Sequence, residues 1–322
     1  MKKITTLIIT LILLLSVGCQ RKELMDPHDH YNLIINAHFD EEAQLQLKSL
    51  KSGYAKNGEP RTTSYVLYEK NTQKIAYKGS FNGIKGGMFV QEGIYDALVY
   101  TTDFNEYDAN FFRNLNDKTI AETYTRQSPI GDASPRTDVT EMYIVEPDPT
   151  FSALVEDIIV LAEYENQTVD VDFVQKSFKY YLTIKAKGLH NIHTATMNIS
   201  GMYTTAYLTN EEHRENESGT QSLEMEIRRN DLSDLQGHGE LYGEFWSFGP
   251  NLREDISNSI TLYFVNGDVI VIKLKDLTSQ IKQLTRGGEI IVEEQLEIRG
   301  PGGGFQPGVG DWDNQTNIEI IL

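Results

Sequence analysis

The sequence predicts an all-β protein: two tandem β-sandwich domains behind a lipoprotein signal peptide. Three observations carry that expectation. Short segments that alternate apolar and polar residues recur about every ten residues, as in sandwiches built of half-buried strands. Turn-forming pairs such as Asn82-Gly83, Gly86-Gly87 and Asn266-Gly267 punctuate them. The chain also holds 17 Tyr and 13 Phe, residues that fit a pleated surface. At 322 residues it is long enough for two cores.

The leader comes first. Lys2 and Lys3 precede an uncharged apolar run, Ile4 to Val17, that ends in Gly18-Cys19. This run is shorter than the roughly 20 residues that span a bilayer. Its basic flank and small-residue exit are those of a secretory signal. Cys19 is the sole cysteine, and it stands where a bacterial lipobox needs a thiol. There the sulfur is alkylated with a diacylglycerol, and cleavage then frees the cysteine amine for a further acyl chain such as palmitate. Ser16 occupies the place usually held by a large aliphatic residue, with Leu15 one step further out. The expectation is a signal peptide over 1–18 and a tether over 19–30, lipidated on Cys19. Two or more acyl chains anchor stably where one does not.

The formal charge is −18, and the leader carries two of the lysines. So acidic a body disfavours nucleic acid and gains nothing electrostatically from an anionic lipid surface. With no further cysteine, its stability cannot rest on disulfides.

Taken in order, Tyr31 to Asp40 alternates, with Leu33, Ile35, Ala37 and Phe39 on one face, and predicts a strand. Residues 41–60 are polar and read as loop. Ser64–Tyr68, Lys74–Phe81 and Gly93–Tyr100 predict strands joined by turns. The polar stretch 103–138, with Ser128-Pro129 and Ser134-Pro135, reads as a long crossing loop. Met142–Val145 is expected to be the last strand of the first domain. Glu146-Pro147-Asp148-Pro149 is the strongest linker signal, because two prolines in three residues favour a stiff extended chain. Domain limits of 31–146 and 150–322 follow.

The second half continues in the same style. Strands are expected over Leu154–Ala162 (where periodicity alone also fits a short helix), Lys179–Ala186, Ala195–Met202, Tyr203–Leu208, Ser222–Arg228, Leu241–Phe248, Ser259–Phe264, Val269–Leu274, Glu289–Ile298 and Asn317–Leu322. In the second of these, Tyr180, Leu182, Ile184 and Ala186 share one face. Asn266-Gly267 predicts a two-residue hairpin turn. Leu277–Leu284 predicts one helix, with Thr278 or Ser279 near its start and Gly287-Gly288 beyond its end.

Several stretches together resemble the fimbrillin-type β-sandwich lipoproteins of Bacteroides and its relatives, which include subunits that anchor fimbriae. They are Gly93–Tyr100, Leu182–Leu189, Ala195–Met202, and the tail from Gly302-Gly303-Gly304-Phe305 through Asp311-Trp312 to Ile318-Glu319-Ile320. Cys19 matches the family's lipidated cysteine. The resemblance implies transthyretin-like sandwiches, attachment to the outer membrane at the cell surface, and contact with fimbrial subunits by strand addition. An open sheet edge makes such addition physically reasonable, since it offers unpaired N–H and C=O groups.

The chemical candidates are weak beside this. His28 with His30, and His190 with His193, lack a third ligand at zinc spacing. Asp311, Asp313 and Asn314 suggest a calcium loop, yet the glycine and the distal glutamate of such a loop are missing. Gly300-Pro301-Gly302-Gly303-Gly304 opens no helix and has no lysine partner, so it is no phosphate loop. Glu163, Glu165, Asp170 and Asp172 could pair as glycosidase carboxylates, but among 47 acidic residues such pairs arise by chance. Trp246, Trp312, Tyr95, Tyr100, Tyr180 and Tyr181 could stack on sugars, though packing explains them as well. The sequence therefore predicts no enzyme, no metal and no cofactor. It predicts a structural or adhesive subunit of a fimbria-like assembly; the alternative is a glycan-binding lipoprotein of a nutrient-uptake system.

Overall fold

The computed structural model describes residues 31–48, 60–103, 110–129, 142–161, 166–214, 217–230, 237–274, 277–298 and 320–321. Elements are numbered along the chain. The first sandwich has a small sheet built on β1 (Leu33–His38), flanked by antiparallel β4 (Lys85–Met88) and parallel β11 (Gln167–Asp172). It faces a five-stranded sheet in the order β12 (Val174–Gln175), β10 (Phe151–Val160), β5 (Gly93–Asp103), β2 (Thr62–Glu69), β3 (Ile75–Asn82). The alternation in β1 is borne out: Leu33, Ile35, Ala37 and the following Phe39 are all buried. They meet Leu67, Ala97, Val99, Phe151 and Val160 from the larger sheet in one core.

Residues 41–48, expected to be loop, form a helix, α1 (Glu41–Lys48). The Asp40 carboxylate accepts the Ala43 N–H at 2.7 Å, an N-cap bond. Ala43 and Leu47, one turn apart, enter the core. An isolated helix this short is not stable in water, so its packing decides the outcome.

The expected boundary at 146–149 is not where the sheets divide. β10 pairs with β5, β12 with β10, and β11 with β1, so the first sandwich continues to Gln175. Pro147, Asp148, Pro149 and Thr150 are buried, not exposed linker. Ser177 Oγ donates to the Asp148 carbonyl and accepts the Thr150 N–H, both at 2.9 Å. Prolines dictate extended backbone but not the sheet to which the chain returns.

The stretch expected as a loop over 103–138 also contains strands. β6 (Asn110–Arg113) and β7 (Glu122–Thr125) join β15 (Thr205–Tyr207) in a three-stranded junction sheet. Beneath it, Val66, Tyr68, Leu98 and Tyr100 on the outer face of the five-stranded sheet pack with Ala121, Leu208 and Phe112. β8 (Gln127–Pro129) pairs with β9 (Met142–Ile144), and β9 pairs in parallel with β16 (Ser218–Arg229). Met142–Ile144 is thus a strand of the second sandwich, not the last of the first.

That second sandwich is one long sheet folded over itself. Its order is β20 (Gly288–Glu297), β13 (Phe178–Lys187), β17 (Gly239–Ser247), β16, β14 (Ile192–Tyr203), β18 (Asn258–Phe264), β19 (Val269–Lys273), β21 (Ile320–Ile321). β16 belongs to both halves: Ser218–Met225 pair with β14, and Glu226–Arg229 with β17. Tyr180, Leu182, Ile184 and Ala186 share the buried face as expected, against Met197, Ile199, Leu223, Ile260 and Leu262. The predicted helix forms as α2 (Leu277–Gln283), with Leu277 and Ile281 in that core. The β18–β19 hairpin exists, but its turn is a different one. Only Gly267, at φ +93°, has positive φ, whereas a type I′ turn requires it at Asn266 too. Phe264 instead exchanges bonds with Gly267 and Asp268 around a longer loop. Gly188 fills a position closed to other residues: at φ +89° a Cβ would lie 1.7 Å from the Ile298 carbonyl oxygen.

Candidate functional site

Two features of this architecture offer chemistry to a partner: an open sheet edge and a cleft beside the junction sheet. β3 ends the five-stranded sheet and is paired only with β2 among the described residues. Ile75, Ala76, Lys78, Gly79, Ser80 and Asn82 are exposed along it, whereas Tyr77 and Phe81 reach back to the core. Along its eight residues, the N–H and C=O groups of alternate residues point away from β2 and can hydrogen-bond an incoming strand. On the outer face of the same sheet, Ile94 and Ile159, neighbours across β5 and β10, are exposed as well.

The junction is pinned by two fully buried carboxylates. Asp96, on β5, accepts Lys118 Nζ at 2.6 Å, Lys70 Nζ at 3.1 Å and the Asp157 N–H at 3.0 Å. Burial pushes its pKa up, but Lys118, the Asp157 amide and Lys70 together hold it below the usual value. Asp157, at φ +60°, occupies the bulge where the β10 register shifts, so the carboxylate fixes that bulge. Glu122, on β7, accepts Arg113 Nε at 2.6 Å, Arg214 Nη2 at 2.9 Å and Asn114 Nδ2 at 2.8 Å, all on Oε1. Its Oε2 is buried and accepts no hydrogen bond among the described residues. Arg113 also reaches Glu217 at 2.7 Å, tying the junction to the segment before β16.

Beside this network lies a cleft of about 570 Å³, lined by Phe111, Arg113, Tyr124, Arg126, Gln127 and Glu217 among others. Phe111 and Tyr124 are cross-strand neighbours whose rings pack with centroids 5.4 Å apart. The Arg126 guanidinium sits 5.1 Å over Phe111, and that of Arg113 sits 4.9 Å over Tyr124. These four side chains line one cleft together. A smaller cavity of about 130 Å³ includes Lys176 and His213. Lys176 Nζ donates to the Asn210 carbonyl at 2.7 Å, and burial pulls its pKa down to about 8. His213, stacked on Tyr203, is likewise lowered by burial.

With this geometry in view, comparison with known proteins places the chain. A family model described as "Domain of unknown function (DUF5119)" matches residues 18–224. The chain belongs to the DUF5119 family. No curated protein matches it. Among solved structures, an adhesin candidate of Bacteroides ovatus has a TM-score of 0.52 at 15% identity, covering 88% of this chain and 98% of its own. An adhesin candidate of Bacteroides thetaiotaomicron has a TM-score of 0.50 at 9% identity, covering 90% and 96%. The fimbrial anchor protein Mfa2 of Porphyromonas gingivalis has a TM-score of 0.43 at 11% identity, covering 82% and 89%. At these identities the likeness to the two Bacteroides structures establishes the β-sandwich fold that this DUF5119 chain shares with them.

Of the residues singled out in the DUF5119 sequence, Cys19, His28, His30, Glu163, Glu165, Asp311, Trp312, Asp313, Asn314 and the run 300–304 lie outside the described residues. Asp170 and Asp172 are exposed on β11, and Asp170 binds Asn36 at 2.7 Å and His38 at 3.1 Å, not a partner carboxylate. His190 is the middle residue of a turn of 3-10 helix (Leu189–Asn191) and His193 is the second residue of β14. No group able to hold a metal occurs among the described residues. Tyr95, Tyr100, Tyr180 and Trp246 are buried in packing, which withdraws them as sugar platforms; Tyr181 is half-buried. The Phe111–Tyr124 pair escaped sequence reasoning because it spans a segment read as loop. Phe111-Phe112-Arg113 and Thr123-Tyr124-Thr125-Arg126 were the available signal.

Proposed function

We propose that this protein is a lipid-anchored surface subunit, structural or adhesive, that anchors or assists a fimbria-like assembly. The observation that carries the reading is the shared architecture: both sandwiches align with the Bacteroides ovatus adhesin candidate over 88% of this chain and 98% of that one. Cys19, at the end of the leader, would carry the acyl chains and hold the body at the outer membrane. The open edge of β3 would receive a strand from a fimbrial subunit, with backbone bonds supplying affinity and alternate side chains specificity. On this reading the protein is not an enzyme, and its acidic surface serves solubility and partner choice.

The test compares wild type with Cys19→Ala in the native cell. Wild type is expected to incorporate labelled palmitate, fractionate with the outer membrane and recover β-sandwich subunits in a pull-down. The variant should lose the label, the membrane and the subunits together. A Cys19→Ala protein that stays at the surface and still co-purifies with a fimbrial shaft would overturn the anchoring role.

A further inference from the structure

We infer that the small cavity at the seam between the two sandwiches binds a carboxylate, with the Lys176 ammonium as the cation that receives it. The starting point is a buried charge without a counter-ion. Lys176 follows β12 directly and is buried. Its backbone N–H donates to the Thr150 carbonyl at 2.8 Å, which fixes the residue at the seam. The ammonium carries three donors, yet among the described residues it bonds only the neutral Asn210 carbonyl. A cation taken out of water ordinarily pairs with a carboxylate. The groups that share the cavity with Lys176 do not supply that pairing. Glu211 attracts Lys176 from a distance, but its carboxylate is bound by Arg286 Nη2. Glu212 is exposed, and of the two acids only Glu211 acts on Lys176. Arg286 adds a second cation. His213 donates Nδ1–H to the Thr205 carbonyl at 3.0 Å, and burial lowers its pKa, so it brings no compensating charge.

Size and charge then select the ligand group. At about 130 Å³ the cavity is smaller than the roughly 300 Å³ at which sites for whole small molecules begin. It suits one functional group, not a ring. Glu211 and Glu212 disfavour a dianion such as phosphate, because nothing here offsets its second charge. A carboxylate brings one charge and two acceptor oxygens, which match the two ammonium donors that Asn210 leaves. The buried ammonium also weakens the fold, since burial pulls its pKa down to about 8. A perturbed cation beside a cavity, retained against stability, is the pattern of a binding position. Two sources can present the group: a free small acid, or the C-terminus of a partner chain.

The site uses neither Cys19 nor the β3 edge, so it stands or falls apart from the proposed anchoring role. The experiment follows the urea midpoint of the full chain without its leader as sodium acetate is added. Sodium chloride at equal ionic strength and neutral methyl acetate serve as controls. Acetate is expected to raise the midpoint saturably, as a ligand of the folded state does, and the controls should not. Lys176→Met, which removes the buried charge and should fold at least as well, is expected to lose the acetate response. Arg286→Gln should weaken the apparent affinity only about threefold, because that side chain is exposed. Tri-alanine and its C-terminal amide distinguish the sources. A response to tri-alanine but not to its amide assigns a chain terminus; a response to acetate alone assigns a free small acid. No response to acetate or tri-alanine, an equal response to chloride, or a response kept by Lys176→Met would each overturn the proposal.

Discussion

The two sandwiches solve the same problem by different means. The second is one continuous sheet, mostly antiparallel, with β20 and β9 joining it in parallel, and its core is one apolar cluster running from Ile144 to Ile298. The first is assembled from distant pieces. β1 waits for β11, whose Leu33–Gln167 pairing joins residues more than a hundred positions apart, and β5 waits for β10 after an excursion through the junction. Its closure relies on buried charge: Asp96 fixes the β10 bulge, and Glu122 ties β6 and β7 to the segment ahead of β16. The contrast teaches where each half is fragile. Apolar burial tolerates conservative exchange, whereas a buried carboxylate fails badly when one member of its cluster is removed.

The largest effect should come from Glu122→Ala. Removing it leaves Arg113 and Arg214 with Glu217 alone to pair with among the described residues, a loss of up to about 3–5 kcal/mol. Replacing Arg113, Glu122 and Arg214 together by Met, Leu and Met should restore most of that, since the ionic cluster costs desolvation in the first place. In the second core, Leu182→Ala removes a fully buried side chain and should cost about 2–5 kcal/mol. There, no second charge replacement brings relief. Urea midpoints for these variants test the comparison; if the triple apolar variant remains as unstable as Glu122→Ala, the charge-pin account fails.

The same contrast explains what could be read in advance. Strands of the second sandwich are long and alternate cleanly, so period alone located β13, β14, β17 and β18 and even the buried face of β13. β6, β7 and β8 have four residues or fewer. No period can be established over so short a span, and Pro129 and the threonines of β7 resemble loop composition. The ownership of β10 was hidden for another reason: local sequence specifies an extended segment, while its partner is chosen by long-range packing. Helix α1 left a legible trace in Asp40, Ala43 and Leu47, outweighed by its polar remainder. The cleft was illegible because its wall is made by pairing β6 with β7, and neither strand was expected.

A smaller effect should appear at the seam, where the chain leaves β12 and enters β13. Lys176 lies there, only 5% exposed, and burial holds its pKa near 8 against 10.5 in the unfolded chain. Between those values the unfolded state binds the proton and the folded state does not. Stability from this group therefore rises with pH through that window and is complete above it. Buried phenols such as Tyr100, raised to about 12, act in the opposite sense above pH 10. The useful quantity is thus the difference between wild type and Lys176→Met. The variant should be the more stable by up to about 3 kcal/mol at pH 7, with the gap closing by pH 10.5. A difference that stays flat with pH would show that the lysine is not desolvated at the seam.

The smallest expected effect belongs to the cap of α1. Asp40→Ala removes the bond to the Ala43 N–H and should cost about 1 kcal/mol. Asp40→Asn keeps a side-chain acceptor and should cost less, losing only the favourable charge at the helix start. Because α1 enters the first core through Ala43 and Leu47, the loss should appear in whichever transition reports β1 and β11. Hydrogen exchange can separate the two outcomes. If only the amides of 41–48 exchange faster, the helix frays as a local unit and the long-range pairing of the first sandwich is unaffected. If β1 and β11 exchange faster as well, this short local element guards the closure of the distant strands. The first sandwich would then depend on local structure as much as the second does.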